Sequence, residues 1–382
     1  MIKEEKKKEY ETIIIGGGIS GLSCAKKLNE AGKDFLLISK NFGGRMCTPK
    51  KINYGACYVT GDYKHILNYV DKKEKLKLKD TFFLHNNHFL KFLTLKNLKY
   101  IFKIIKGFFI LKNFRKHVLK LIEQLPYKSV KEGIEEDSLL FNYFKMPAKE
   151  FIRKHGFEEL SELYFSPLAT CTTFIDINKL STYYYLSCFF PMIVNSYISD
   201  FKNTSKKLLK NLEDKAKIGL VIKVKKIKNG KYKIKTNIGD FYAKNIVFAA
   251  LEKELKGVYN LPKPKIQQPI YVFYVNGKRK KRYMNKRAII FNPKESSVYL
   301  IMNELGYETV YSKNLNPDFD KYYEKNYKIK RFYWNVAMPF SNNLIDQKLE
   351  ENVYLASDYN IPGLEYSFLS GLYAANQIIN LG

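Results

Sequence analysis

The 382 residues carry 66 Lys and Arg against 37 Asp and Glu, a formal charge of +29 at pH 7, and 46% of them are apolar. A chain of that length and apolar content can bury two or three cores, which excludes a disordered or fibrous protein. Five cysteines without CxxC or zinc spacing exclude a disulfide scaffold and a structural zinc site, and no run approaches the roughly 20 apolar residues that cross a bilayer.

The charge has two readings. One is a partner of opposite sign, and the other is lysine spread over every solvated face. The lysines run from Lys3 to Lys348 without a recognisable nucleic-acid module, so no nucleic-acid partner is expected. The Lys/Glu run Met1–Glu9 has no signal-peptide-type apolar stretch behind it. Cys24, Cys47, Cys57, Cys171 and Cys188 suit a reducing compartment. Together these features predict a cytoplasmic location.

In chain order, Glu11–Ile15 is a β-branched run that reads as a buried parallel strand. It ends in Gly16-Gly17-Gly18-Ile19-Ser20-Gly21. Leu22, Ala25 and Leu28 then mark one face of a helix to Glu30, Ala31-Gly32 stops it, and Phe35–Ile38 is a second strand. This strand, glycine turn, helix and strand form one βαβ unit, the context in which such glycines bind a dinucleotide. Gly16 allows the tight turn, Gly18 admits a pyrophosphate to the backbone, and Gly21 lets helix and strand pack closely. The backbone N–H groups of the stretch that includes Gly17, Ile19 and Ser20 then hold the phosphates at the helix start. Ser39 takes the place where an acid usually meets the ribose hydroxyls, and Lys40 beside it leaves room for a 2′-phosphate.

Further along, Leu98, Ile101, Phe102 and Ile105 share one helical face beside Lys99, Lys103 and Lys106. Such a basic amphipathic stretch, within residues 90–125, can face the core or lie on an anionic membrane surface. Helical spacing marks Phe141–Phe144, Ala148–His155 and Glu158–Phe165. Val221–Lys228, Lys231–Thr236 and Ala243–Ala250 read as strands, with Asn229-Gly230 a hairpin turn. Ile270–Val275, Arg287–Phe291 and Ser297–Met302 alternate like antiparallel strands. His85 and His88 flank a turn at Asn86-Asn87, and the five scattered histidines predict no metal site.

Gly43-Gly44-Arg45 after the second strand, then Asn53-Tyr54-Gly55-Ala56, resembles the flavin amine oxidase superfamily. That superfamily includes amine oxidases, protoporphyrinogen oxidase and phytoene desaturase-type enzymes. The resemblance continues in the block ending at Ala250, in the strand Asn352–Asp358, and in the closing helix with Ser370-Gly371 and Ala374-Ala375. It implies an α/β fold: a discontinuous Rossmann-like FAD- or NAD(P)-binding domain (1–60, 201–260 and 351–382) with a parallel sheet and helices. A mixed α+β substrate domain (61–200 and 261–350) would complete the chain. It also implies non-covalent FAD contacted by Gly43, Gly44, Arg45, Ala250, Asp358, Glu365, Ser370 and Gly371, besides the glycine turn, Ser39 and Lys40. A carboxy-terminal covalent flavin link is excluded because no cysteine follows Cys188.

The function implied is hydride transfer from an amine, or from a lipophilic unsaturated small molecule of isoprenoid or porphyrinogen type, to flavin N5. Tyr333 and Trp334 are the candidate cavity residues. Two other readings stay open: a flavin- or nucleotide-binding protein without turnover, and a peripheral binder of anionic membranes.

Overall fold

The β-branched run Ile13-Ile14-Ile15 is buried, as a strand covered on both faces requires. It forms the centre of β1 (Lys8–Gly17), followed by α1 (Ile19–Glu30) and β2 (Phe35–Phe42). The computed structural model describes residues 8–46, 52–341 and 343–381. Cys47 and most of the Met1–Glu9 run lie outside them.

β1 pairs in parallel with β2 on one side and with Gly239–Phe248 on the other, so that Ile14 sits opposite Leu37 and Val247. Val353–Leu355 extends the parallel set beyond Gly239–Phe248, and Ala216–Ile218 extends it beyond β2. The chain therefore returns twice, from far along its length, to the sheet started by its first strands. One face is covered by α1 and the closing helix Leu364–Ile379, which share a core with Leu22, Leu28, Leu37, Val247 and Ala374. The other face is covered by the ribbon Val221–Lys226 and Tyr232–Thr236 with Leu255, Val258 and Leu261. Asn229 and Gly230 both have positive φ, 76° and 73°, which is the conformation that makes Asn-Gly a hairpin turn.

A second sheet of seven strands runs in the order Lys328–Phe340, Ile266–Asn276, Tyr307–Ser312, Val298–Glu304, Ala288–Phe291, Thr81–His85 and His88–Leu90. All its pairings are antiparallel except Ala288–Phe291 with Thr81–His85. Helices pack beside it around Phe114, Phe144, Phe151 and Tyr183. Ala148–His155 forms the helix that its spacing predicts. Glu158–Phe165 does not stay α-helical: a single turn, Glu158–Leu160, runs into a π-helical segment, Ser161–Phe165. Pro167 follows one residue later, and its missing N–H and bulky ring account for the widened turn.

The basic amphipathic stretch becomes a 3-10 segment, Leu95–Tyr100, and the long helix α2 (Ile101–Gln124). Its apolar face at positions 98–105 does not reach the core. Leu98, Ile101, Phe102 and Ile105 are exposed, Phe102 by 83%. Only the second half of α2, through Leu111, Phe114, Val118, Leu121 and Ile122, is buried. The first half packs by its other side, through Ile104 and the preceding Tyr100, and turns this apolar face to solvent. No helix among the described residues is long and apolar enough to cross a membrane.

Candidate functional site

The glycine turn is held by contacts that leave no room for a Cβ at Gly16, Gly17 or Gly21. A Cβ on Gly16, which has φ 117°, would stand 2.5 Å from the Ala249 carbonyl oxygen. One on Gly21 would stand 1.9 Å from the Gly16 oxygen. These glycines let the end of β1, the start of α1 and the strand Gly239–Phe248 converge. Gly18 differs: a Cβ there would meet nothing within 4 Å. Its backbone borders open space at the amino terminus of α1, where unpaired N–H groups and the helix dipole favour a phosphate.

That space continues into one cavity of about 730 Å³. It begins at Gly16, Gly17, Gly18, Ile19 and Ser20 and passes Ser39, Gly43, Gly44 and Arg45 on one side. Ala250, Ser357 and Asp358 stand on the other. It ends in a chamber walled by the second sheet. Ile270 and Val272, Ala288 and Ile290, Leu300 and Met302, and Phe332 and Trp334 are pairs two residues apart on four strands. Strand alternation turns each pair to the same face, and the wall is accordingly apolar. Leu168, Phe174 and Met192 close the chamber from the helical side.

Arg45 and Asp358 meet across the cavity's middle. The Arg45 Nη2 donates to Asp358 Oδ1 at 2.5 Å, and Nη1 donates to the Ala337 carbonyl at 3.0 Å. Asp358 is 4% exposed and Arg45 28%, so the pair ties the first strand pair, the last strand of the parallel sheet and the second sheet together at one point. Trp334 donates its indole N–H to the Tyr54 carbonyl at 2.6 Å, and Tyr54 stacks on Phe332 with ring centroids 5.1 Å apart. Tyr333, half exposed, borders the cavity and meets the Tyr271 ring at a tilt of 30°, with centroids 4.7 Å apart.

Residues 14–72 match the model of the NAD(P)-binding Rossmann-like domain. Among solved structures, a redesigned putrescine oxidase superposes with a TM-score of 0.68 at 12% identity, over 98% of this chain and 100% of that one. The CLA-producing fatty acid isomerase from P. acnes gives 0.66 at 14% identity over 97% of both chains. Cyclohexylamine oxidase from Brevibacterium oxydans IH-35A gives 0.65 at 14% identity, over 97% of this chain and 99% of that one. The chain shares the fold of these solved structures over nearly its whole length.

Within this fold the site residues expected from sequence divide into two groups. Gly16, Gly17, Gly18, Ile19, Ser20, Ser39, Gly43, Gly44, Arg45, Ala250, Asp358, Tyr333 and Trp334 all line the cavity. Lys40, Gly21, Glu365, Ser370 and Gly371 do not, and each has an identifiable reason. Lys40 is exposed on the outer side of β2. Gly21 and Gly371 are close-approach positions between elements; a Cβ on Gly371 would stand 2.1 Å from the Ser20 oxygen, where the closing helix crosses α1. Ser370 accepts the Ser357 N–H at 2.7 Å and so holds the turn that presents Asp358. Glu365 is fully buried and receives the backbone N–H groups of Lys64, His65 and Ile66 at 2.9, 2.9 and 3.1 Å, with His65 Nδ1 at 2.8 Å. It pins a loop of the intervening segment to the closing helix.

Ser39 is also committed. Its hydroxyl accepts the Gly17 N–H at 2.8 Å and donates to the Asn41 carbonyl at 2.6 Å, so it braces the glycine turn. Asn53, another position of the resemblance, donates from Nδ2 to the Ser199 carbonyl at 2.9 Å and lies buried beneath the cavity floor.

Two cavity residues carry no signal in the sequence, Cys57 and Tyr311, and Glu304 lies behind Tyr311, bonded to its hydroxyl. Burial pushes the Glu304 carboxyl up to about 7, against hydrogen bonds from Thr309 and Tyr311 that lower it. The same burial holds the Cys57 thiol and the Tyr311 phenol well above their ordinary values. Among the described residues, no group of three or more His, Cys, Asp or Glu is arranged to hold a metal ion.

Proposed function

We propose that this chain is an FAD-dependent oxidoreductase that takes a hydride from a neutral, lipophilic, unsaturated substrate. The observation that carries the reading is the single cavity joining the glycine turn to an apolar chamber. A dinucleotide at one end and a hydrocarbon at the other would meet inside it. The open space beyond Gly18 fits a pyrophosphate, which needs backbone N–H groups and no intervening Cβ.

FAD, held without a covalent bond, supplies the hydride acceptor at N5. Gly18, Ile19 and Ser20 would hold its phosphates, with the Gly17 N–H bracing the turn through Ser39, and Arg45 with Asp358 would border its middle. Trp334, Tyr54 and Phe332 would position the substrate and exclude water. On this reading residues 1–60, 201–260 and 351–382 form the cofactor unit, and residues 61–200 and 261–350 cover it.

The chamber favours the lipophilic class over an amine. An amine would enter as a cation and needs a carboxylate in so apolar a wall. The carboxylates lining the cavity among the described residues are Asp358, engaged by Arg45, and the exposed Glu254. A lipophilic substrate must also be collected, and the exposed face of α2 suits that task. Leu95, Leu98, Phe102 and Phe109 stand in solvent among Lys96, Lys99, Lys103 and Lys106. That combination inserts into the interface of an anionic bilayer.

One experiment tests substrate class and membrane contact together. FAD-loaded protein is mixed anaerobically with a polyisoprenoid in anionic vesicles, in zwitterionic vesicles, or with a primary amine, and the flavin absorbance is followed. Bleaching should occur with the polyisoprenoid and run faster from anionic vesicles. Lys99, Lys103 and Lys106 changed to Glu should abolish that advantage, since each lysine at an anionic surface contributes roughly 1 kcal/mol. Bleaching by the amine alone would refute the lipophilic class. Equal rates from both vesicles would refute the membrane contact.

A further inference from the structure

Glu304 ends the strand Val298–Glu304, next to a tight turn at Leu305 and Gly306, in a stretch whose polar sequence suggests solvent. It is instead 0% exposed. Its Oε1 accepts the Thr309 hydroxyl at 2.8 Å and the Tyr311 hydroxyl at 3.0 Å, both from the partner strand of the hairpin. Its Oε2 is buried with no hydrogen-bond partner among the described residues. A buried carboxylate with one orphaned oxygen is costly, and taking up a proton relieves that cost.

The surroundings show where that proton could come from. Tyr311 lines the chamber, and so does Cys57, whose thiol is within hydrogen-bonding reach of the Tyr311 phenol. Phe174 lies flat on the Tyr311 ring, at 14° and 6.0 Å between centroids. The Tyr311 hydroxyl thus bridges cavity and buried acid. The other ionisable group facing Glu304 is Tyr307 on the same partner strand, whose hydroxyl is taken by the Asn53 N–H at 3.0 Å. No Lys or Arg pairs with Glu304 among the described residues, and burial, against the hydrogen bonds from Thr309 and Tyr311, pushes its carboxyl up to about 7.

We infer that Tyr311 and Glu304 form a proton-transfer pair for this cavity, with Tyr311 as the group that touches the ligand and Glu304 as the proton acceptor behind it. The inference rests on the oxidoreductase reading and adds the destination of the proton. In the step, the Tyr311 oxygen takes a proton from the ligand while its own hydrogen passes to Glu304 Oε1. The ligand loses one proton, the Glu304 carboxylate becomes a carboxylic acid, and Tyr311 is unchanged. The electron pair of the oxidised C–H bond leaves separately, as the hydride accepted by FAD. An apolar chamber offers a departing proton few other acceptors, which is why a buried acid at its wall is useful.

The pair can be tested without knowing the substrate, because reducing the bound flavin adds negative charge to the same cavity and draws protons to it. FAD-loaded protein is photoreduced near neutral pH in weak buffer. Proton uptake is read with an indicator dye, and carboxyl groups are read by reduced-minus-oxidised infrared difference spectra. Wild type should take up more protons per flavin than Glu304→Gln and should show a carboxylic acid band that moves with ¹³C-labelled glutamate. Tyr311→Phe should keep the band and form it more slowly. Equal uptake in wild type and Glu304→Gln, with no labelled band, would overturn the inference while leaving the flavin reading intact. If Glu304→Gln does not fold, the labelled band in wild type and Tyr311→Phe decides alone. A protein that takes up no FAD would overturn the flavin reading instead. The pair would then stand or fall on whether one glutamate carbon titrates near neutrality in the cofactor-free protein and shifts in Tyr311→Phe.

Discussion

Gly18→Val should fold normally and lose FAD, whereas Gly21→Val should not fold stably at all. The two glycines are three residues apart in one turn, yet their surroundings are opposite. Beyond Gly18 there is open space, so an isopropyl group costs the folded chain little, within the roughly 0.5 kcal/mol usual for exposed positions. It would occupy the volume through which a pyrophosphate reaches the backbone N–H groups. FAD affinity should fall by at least about a hundredfold, equivalent to ~2.8 kcal/mol. Beyond Gly21 a Cβ would lie 1.9 Å from the Gly16 carbonyl oxygen, which is backbone and cannot swing aside. Separating α1 from β1 to make room breaks the centre of the parallel sheet, an overpacking cost of about 3 kcal/mol. Thermal melts and FAD titrations of both variants check this. A Gly18→Val protein that keeps its flavin would remove the glycine turn from the site.

Arg45→Ala should destabilise the protein more than Asp358→Asn. Removing Arg45 strands a carboxylate that is almost fully buried, and such an uncompensated charge costs about 3 kcal/mol. Removing the Asp358 charge leaves Arg45 partly in solvent and still bonded to the Ala337 carbonyl, so the cost is nearer 1 kcal/mol. The double variant Arg45→Met with Asp358→Asn should recover part of the loss, because neither charge is then left alone. Denaturant midpoints of the three variants measure this directly. Equal costs for the two single variants would show that the pair is solvated rather than buried.

Some of this site is legible in the sequence because local chemistry forces it. A β-branched run followed by closely spaced glycines and an apolar helix face has few other uses, and the turn and its strands follow from that, whereas the return at Asp358 comes only with the family resemblance. What is not legible depends on which surface another part of the chain covers. Periodicity marks the apolar face at Leu98, Ile101, Phe102 and Ile105, but it does not say whether anything packs there, and nothing among the described residues does. Glu365, Ser370 and Gly371 lie in the right helix for a cofactor contact. Their partners are Lys64 to Ile66, Ser357 and Ser20, two of these sites lying over 290 residues away in sequence. Glu304 is the plainest case. Its neighbours Asn303, Leu305 and Gly306 read as a solvent turn, yet it is buried and bonded to Thr309 and Tyr311 of the facing strand.

The most direct measurement of the central claim is the visible absorption spectrum of the purified protein, followed by denaturation and identification of any released cofactor. The account predicts a flavin spectrum, on purification or after adding FAD, and release of intact FAD on denaturation, because the cavity supplies the turn and the Arg45–Asp358 pair without a covalent anchor. A colourless protein that takes up no added FAD would contradict it.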